Sequence, residues 1–207
     1  MLLYLSSQKF GDKTEILKKW INEHDNKILL VFNALDAKGE EKIKTNVIED
    51  KKLLEEIGFE VEILDLKEYF NSNEKLKEKI INYNACCLMG GNVFVLRQAM
   101  KYSGFDKILQ EKATSKEFLC IGYSAGSCIL GKDLKIFEPV DNPIAFYDKD
   151  DIIYEGIGFI DYIFIPHYKS EYHKVHLIEE VVDKCKRENK DHRAVRDGEV
   201  IIEYIEG

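Results

Sequence analysis

The sequence predicts an α/β fold built on a mostly parallel sheet with helices on both faces. Three observations carry this. Short apolar runs of four to six residues alternate with segments of helical periodicity through the first 130 residues. Most of these runs are apolar throughout, the pattern of strands covered on both faces. Turn-rich stretches then follow the runs at Asn33–Gly39, Gly90–Asn92 and Gly122–Gly126. In an open parallel sheet ligands gather at that end of the strands.

Leu2–Leu5 is the first short apolar run, and Ser6–Asp12 is a polar turn. Thr14–Glu23 places Ile16, Leu17, Trp20 and Ile21 on one helical face. Lys27–Phe32 is a second buried strand. Glu40–Ile57 is helical and closes on Gly58. Val61–Leu66 is a strand, Glu74–Tyr83 a helix, and Ala85–Met89 another strand. Val93–Met100 and Phe105–Lys112 read as consecutive helices, and Phe118–Ile121 as the next strand. The pattern then changes. Leu134–Tyr154 carries two of the three prolines and several Asp and Asn, so it is irregular and suited to walling a pocket. Tyr162–Ile165 is apolar and stops at Pro166-His167-Tyr168. Glu171–Arg187 is helical, with Val175, Ile178, Val181, Val182 and Cys185 on one face. Asp191–Val195 and Val200–Ile205 are extended runs around Arg196-Asp197-Gly198-Glu199, which reads as a hairpin. No repeat or linker divides the chain, so residues 1–207 are expected to form one domain.

Composition excludes several function classes. At 45% apolar and 33% charged residues the chain is globular rather than disordered. A formal net charge of −8 with no free basic stripe argues against a nucleic-acid partner. No segment approaches the ~20 apolar residues that span a bilayer. MLLYLSS is too short and too uncharged for a signal sequence. Five cysteines without a C-x-x-C pair read as small buried hydrophobes of a reduced protein, so the expected location is cytoplasmic. The oligomeric expectation is a monomer or a homodimer.

The chemistry centres on FLCIGYSAGSCIL, Phe118–Leu130. A strand leads into Gly122-Tyr123-Ser124-Ala125-Gly126, and Ser127–Leu130 can open a helix. G-x-S-x-G in that setting is a nucleophile elbow: the glycines let two arms meet, and Ser124 is lifted toward a helix N-terminus. The same five residues also occur as a plain Gly/Ser turn. A serine nucleophile needs a base. Of the five histidines, His24, His173 and His176 lie on or at helices and His192 in a late loop; His167 ends an apolar strand at the edge where the elbow opens. The orienting carboxylate is expected to be Asp191, with Asp197 the alternative inside the D-G turn. Ala125 and Gly91 offer backbone N–H groups for an oxyanion hole. Asn92 and Tyr123 are candidate substrate contacts. Gly90-Gly91 lacks both G-x-G-x-x-G and G-K-[ST], which disfavours a nucleotide. His173 and His176 with Glu179 or Glu180 lack an H-E-x-x-H or cysteine partner, so neither metal nor cofactor is expected.

Taken together, Gly90-Gly91-Asn92 before an apolar helix, Tyr123-Ser124-Ala125-Gly126-Ser127 after a strand, and Pro166-His167-Tyr168 at a later strand end resemble the peptidase E (aspartyl dipeptidase) family, to which cyanophycinase is related. The resemblance runs over nearly the whole chain. It implies a three-layer α/β sandwich of the class I glutaminase-like or flavodoxin-like kind with a C-terminal hairpin. It also implies a serine peptidase acting on short peptides, with Ser124 as nucleophile, His167 as base and an acid before the final hairpin, which best fits Asp191. Peptidase E reads an N-terminal aspartate with an arginine shortly after its histidine; here Tyr168–Lys174 holds none, and the next is Arg187. An esterase or amidase with the same triad, and a binding module without chemistry, are the alternative expectations.

Overall fold

The computed structural model describes residues 1–147, 152–172 and 174–205. Part of the irregular Leu134–Tyr154 run, and His173, therefore lie outside the described residues. Six strands form the main sheet: β1 (Leu2–Ser6), β2 (Lys27–Val31), β3 (Glu60–Leu64), β4 (Ala85–Leu88), β5 (Leu119–Tyr123) and β8 (Val200–Tyr204). Their order is β3-β2-β4-β5-β1-β8. All pairings are parallel except β1–β8, which is antiparallel. A separate parallel pair joins β6 (Ile163–Ile165) to β7 (His192–Ala194).

Strand residues alternate between two cores. Leu3, Leu5, Leu29, Val31, Cys86, Leu88 and Cys120 face one side. There they meet α3 (Asn73–Ile80), α4 (Val93–Ser103), α5 (Phe105–Lys112), α6 (Ala125–Cys128) and α7 (Val175–Arg187). Leu2, Tyr4, Ile28, Leu30, Cys87 and Ile121 face the other, against α1 (Thr14–Glu23) and α2 (Glu40–Ile57). The apolar stripes justify the placement: α1 buries Leu17 and Trp20, and α7 buries Ile178, Val181, Val182 and Cys185. Each such aliphatic side chain is worth ~1.5–3 kcal/mol over its exposed state.

The topology creates the crevice. β5 and β1 are neighbours, yet α6 leaves β5 toward one face and α1 leaves β1 toward the other. β4 and β2 diverge in the same way through α4 and α2. Diverging connections open a cleft beyond the carboxyl ends of the strands.

One expectation is corrected. The Arg196–Glu199 turn forms, with Glu199 N–H donating to the Arg196 carbonyl at 3.0 Å. The two runs it joins do not pair as a hairpin: β7 pairs with β6, and β8 crosses to the antiparallel edge beside β1. Local turn chemistry cannot decide this, because β1 offers β8 five partnered positions and an apolar face to cover.

Side chains pin the irregular wall. The Gln98 amide donates to the Ile144 carbonyl at 2.6 Å and accepts from Phe146 N–H at 2.9 Å. Tyr147 donates to Asp36 at 2.5 Å. Asp36 also accepts from Asn33 at 2.8 Å and pairs with Lys67 at 2.9 Å. This polar cluster ties the wall to the loop after β2. Among the described residues no helix is long and apolar enough to cross a membrane.

Candidate active site

β5 ends in a tight bend. Ser124 has φ +50° and ψ −119°, a conformation that non-glycine residues adopt only under constraint. The constraint is visible. Ser124 N–H donates to the Ser6 carbonyl at 3.2 Å. Its carbonyl accepts from Ser127 and Cys128 N–H at 2.9 and 3.0 Å, which starts α6. The Ser127 hydroxyl reaches the Gly122 carbonyl at 2.7 Å. A Cβ on Gly122 would collide with the Gly126 carbonyl, and one on Gly126 with the Leu88 carbonyl. The two glycines thus permit strand and helix to pack at backbone contact.

His167 follows β6, is buried, and has φ +61°. Its Nε2 lies 3.0 Å from Ser124 Oγ. Its Nδ1 lies 2.7 Å from Asp197 Oδ1. The ring stacks on Tyr172 with centroids 4.3 Å apart and planes at 19°. Ser7, at the end of β1, joins base to acid. Its fully buried hydroxyl accepts from His167 N–H at 2.7 Å and donates to Asp197 at 2.7 Å. Asp197 N–H donates to Ser170 Oγ at 2.8 Å.

Asp191, expected beside the histidine, is not there; Asp197 is. The reason is the parallel register of β6 and β7. Ile163 stands opposite His192, and Ile165 opposite Ala194. Residues before β7 therefore lie at the start of β6, while residues after β7 lie at its end, next to His167. Three strand residues at ~3.3 Å each put Asp191 about 10 Å back along the strand. Its carbonyl accepts from Ile163 N–H at 2.9 Å, and its side chain borders a surface hollow with Lys132 and Lys190.

Gly91 has φ +154°, and a Cβ there would strike the Ala34 carbonyl. That carbonyl instead takes Asn92 N–H at 2.8 Å. The N–H groups of Gly91 and Ala125 have no acceptor among the described residues; Ala125 is the first residue of α6, where helix geometry leaves that donor free. Tyr123 and Ser124 of the elbow and Gly90 and Gly91 of the glycine turn border one crevice of about 400 Å³, together with His167, Tyr172, Asp141, Lys38 and Lys174.

The two expected substrate contacts line this crevice with their side chains committed elsewhere. Asn92 Oδ1 caps α4, accepting from Phe94 and Val95 N–H at 2.9 and 3.1 Å. Tyr123 is buried and donates to Asp50 at 2.5 Å. Asp50 also pairs with Lys9. Burial pushes the Asp50 carboxyl and the Tyr123 phenol up, which keeps the phenol a donor. Ser7, Ser170 and Asp141 went unnoticed in the sequence. The signal available for Ser7 was its place at the end of a strand; nothing local marked the other two. Among the described residues no cluster of three metal-ligating side chains occurs.

Comparison with known proteins agrees with this architecture. An uncharacterized peptidase of Listeria innocua is 30% identical over 164 residues, covering 76% of each chain. One from Listeria monocytogenes is 32% identical over 121 residues, covering 58% of this chain and 56% of its own. A candidate peptidase E of Listeria monocytogenes EGD-e, solved at 1.5 Å, shares the fold with TM-score 0.74 at 24% identity, covering 98% of both chains. A peptidase from an acI-B1 actinobacterium shares it with TM-score 0.70 at 14% identity, covering 98% of this chain and 82% of that one. The family model described as Peptidase family S51 matches residues 2–203. The chain belongs to that family, the peptidase E family of serine-type peptidases.

Proposed function

We propose that the protein hydrolyses short peptides as an exopeptidase or dipeptidase through a Ser124–His167–Asp197 triad. The observation that carries this is the unbroken line of hydrogen-bond distances, 3.0 Å from Ser124 to His167 and 2.7 Å from His167 to Asp197. Ser124 Oγ attacks the peptide carbonyl carbon while His167 Nε2 takes the hydroxyl proton. The resulting oxyanion is held by the N–H groups of Gly91 and Ala125, each worth ~3 kcal/mol in comparable sites. Collapse breaks the C–N bond as His167 returns the proton to the leaving amine. Water then attacks the acyl-serine by the same route and frees the second product. Asp197 holds the Nδ1 proton and stabilises the imidazolium. Apart from the peptide and the attacking water, every group in these steps belongs to the chain.

A crevice of about 400 Å³ fits a ligand the size of a dipeptide rather than a folded chain. In place of the family's arginine the crevice carries lysines, of which Lys38 has no acceptor among the described residues. A point charge of this kind favours a carboxylate without the two-pronged grip of a guanidinium. The five cysteines are free and buried, which supports a reducing compartment such as the cytoplasm.

The test is hydrolysis of a dipeptide panel, Asp-X against neutral and basic first residues, together with fluorophosphonate labelling. Ser124→Ala is expected to abolish both while keeping the native circular dichroism. Equal labelling of wild type and Ser124→Ala would remove Ser124 as nucleophile. Turnover of esters but of no peptide would shift the reading to an esterase that uses the same triad.

A further inference from the structure

We infer that Ser7 is a positioning residue of the triad, its one hydroxyl aligning the base with the acid and setting the direction in which protons are donated along them. The inference rests on the proposed Ser124–His167–Asp197 mechanism.

One strand end touches all three members. β1 runs between β5 and β8. The Ser6 carbonyl at its end accepts from Ser124 N–H at 3.2 Å and from the Ser127 hydroxyl at 3.1 Å. The next residue, Ser7, takes His167 N–H at 2.7 Å and reaches Asp197 Oδ1 at 2.7 Å. Its own N–H lies 3.4 Å from the carbonyl of Glu199, in the turn that carries Asp197. Ser7 is fully buried. A buried hydroxyl depends on the partners the fold gives it, because water is not at hand to replace them.

Direction follows from what each group can do. A backbone N–H only donates, so toward His167 the Ser7 oxygen is an acceptor. The single proton of Ser7 then goes to Asp197, which accepts it as a carboxylate. The same Oδ1 lies 2.7 Å from His167 Nδ1 and accepts there as well. That places the ring proton on Nδ1 and leaves Nε2, 3.0 Å from Ser124 Oγ, to take the hydroxyl proton. Asp197 needs the second hold. It stands on a turn with 24% of its side chain exposed, where a carboxylate with one partner is free to swing toward water. His167 needs it too, since a backbone at φ +61° persists only where a neighbour holds it.

The experiment is a double-mutant cycle between Ser7 and Asp197 in the whole chain. Wild type, Ser7→Ala, Asp197→Asn and the double variant are compared for kcat and KM on a dipeptide, and for the limiting rate of fluorophosphonate labelling. Ser7→Ala is expected to lower kcat and the labelling rate by roughly 10–100-fold, the size of a lost hydrogen bond to a charged group, with KM within about twofold. In the Asp197→Asn background the same change is expected to cost less than about fivefold, because the acid that Ser7 aligns is gone. A Ser7→Ala enzyme as fast as wild type, or an equal loss in both backgrounds, overturns the inference; the equal loss is what a merely structural serine would give. Ser7→Cys, similar in size but a weak hydrogen-bonding group, takes the place of Ser7→Ala in the cycle if the alanine variant does not fold. Failure of the peptidase reading shows elsewhere: Ser124 would label in wild type while no peptide is turned over, and the labelling rates would still decide the role of Ser7.

Discussion

At the scale of single residues, the site depends on one hydroxyl, one ring and one carboxylate whose positions are over-determined. Ser124 and His167 both have positive φ, at +50° and +61°. Such backbones persist only where neighbours hold them. Ser7 does this for the base, since its hydroxyl takes His167 N–H and gives its own proton to Asp197. Of the two candidate acids this geometry places Asp197 beside the ring, and the role proposed for it is directly measurable. Asp197→Asn is expected to lower kcat by roughly 10³–10⁴-fold with little change in KM, because an amide presents the wrong partner to Nδ1. Asp191→Asn is expected to leave kcat within about twofold, as its side chain borders a different hollow. Steady-state kinetics on the two variants checks both statements, and the reverse ranking would return the role to Asp191.

At the scale of elements, the elbow is a contact between backbones. Gly122 packs on the Gly126 carbonyl, and Gly126 on the Leu88 carbonyl, so β5, α6 and β4 meet without side chains between them. This contact, more than the serine itself, sets where Oγ stands. Gly126→Ala is expected to destabilise the fold by ~3 kcal/mol or more, since neither backbone can move without breaking a sheet pairing. Thermal or urea unfolding reads the loss. A shift of less than a degree in midpoint would mean that the elbow has slack. The same elements show what could be read in advance. Phe118–Ile121 leading into G-x-S-x-G was legible because a strand, a turn and a helix start are all local patterns. Asn92 has a second, local duty that its sequence position also displays: a short polar residue before an apolar helix caps it, and the cap at Phe94 and Val95 takes its side-chain oxygen.

At the scale of the molecule, a site is maintained against the stability of the fold. Asp141 shows the sign. Its folded value, about 6, lies above the ordinary carboxylate value of 3.8 that it has when unfolded. A carboxyl shifted upward favours the folded state below the unfolded value and loses that contribution as pH rises through the folded one. The protein is therefore expected to be less stable at pH 7.5 than it would be with a neutral group there. Asp141→Asn should raise stability at pH 7.5 by on the order of 1–3 kcal/mol, and the gain should vanish between about pH 6 and pH 4. Denaturant titrations of both proteins across that range test it. A gain independent of pH would show that the change acts through packing.

The division between sequence and tertiary structure follows the range of the interactions. Alternating apolar runs and amphipathic stretches, the elbow at Ser124, the glycine turn at Gly91 and the strand end at His167 are set by contacts within a few residues, and composition and spacing displayed them. By itself the sequence therefore determined the α/β class and singled out Ser124 and His167 as the residues proposed for nucleophile and base. The strand order, the separation of β7 from β8, the choice of Asp197 over Asp191, and the approach of Ser7 and Asp141 to the crevice all join residues far apart in the chain. Those were decided only when β6 and β7 paired in parallel and β8 found the open edge of β1, because pairing register depends on which edges and apolar faces remain uncovered after the rest of the sheet has formed.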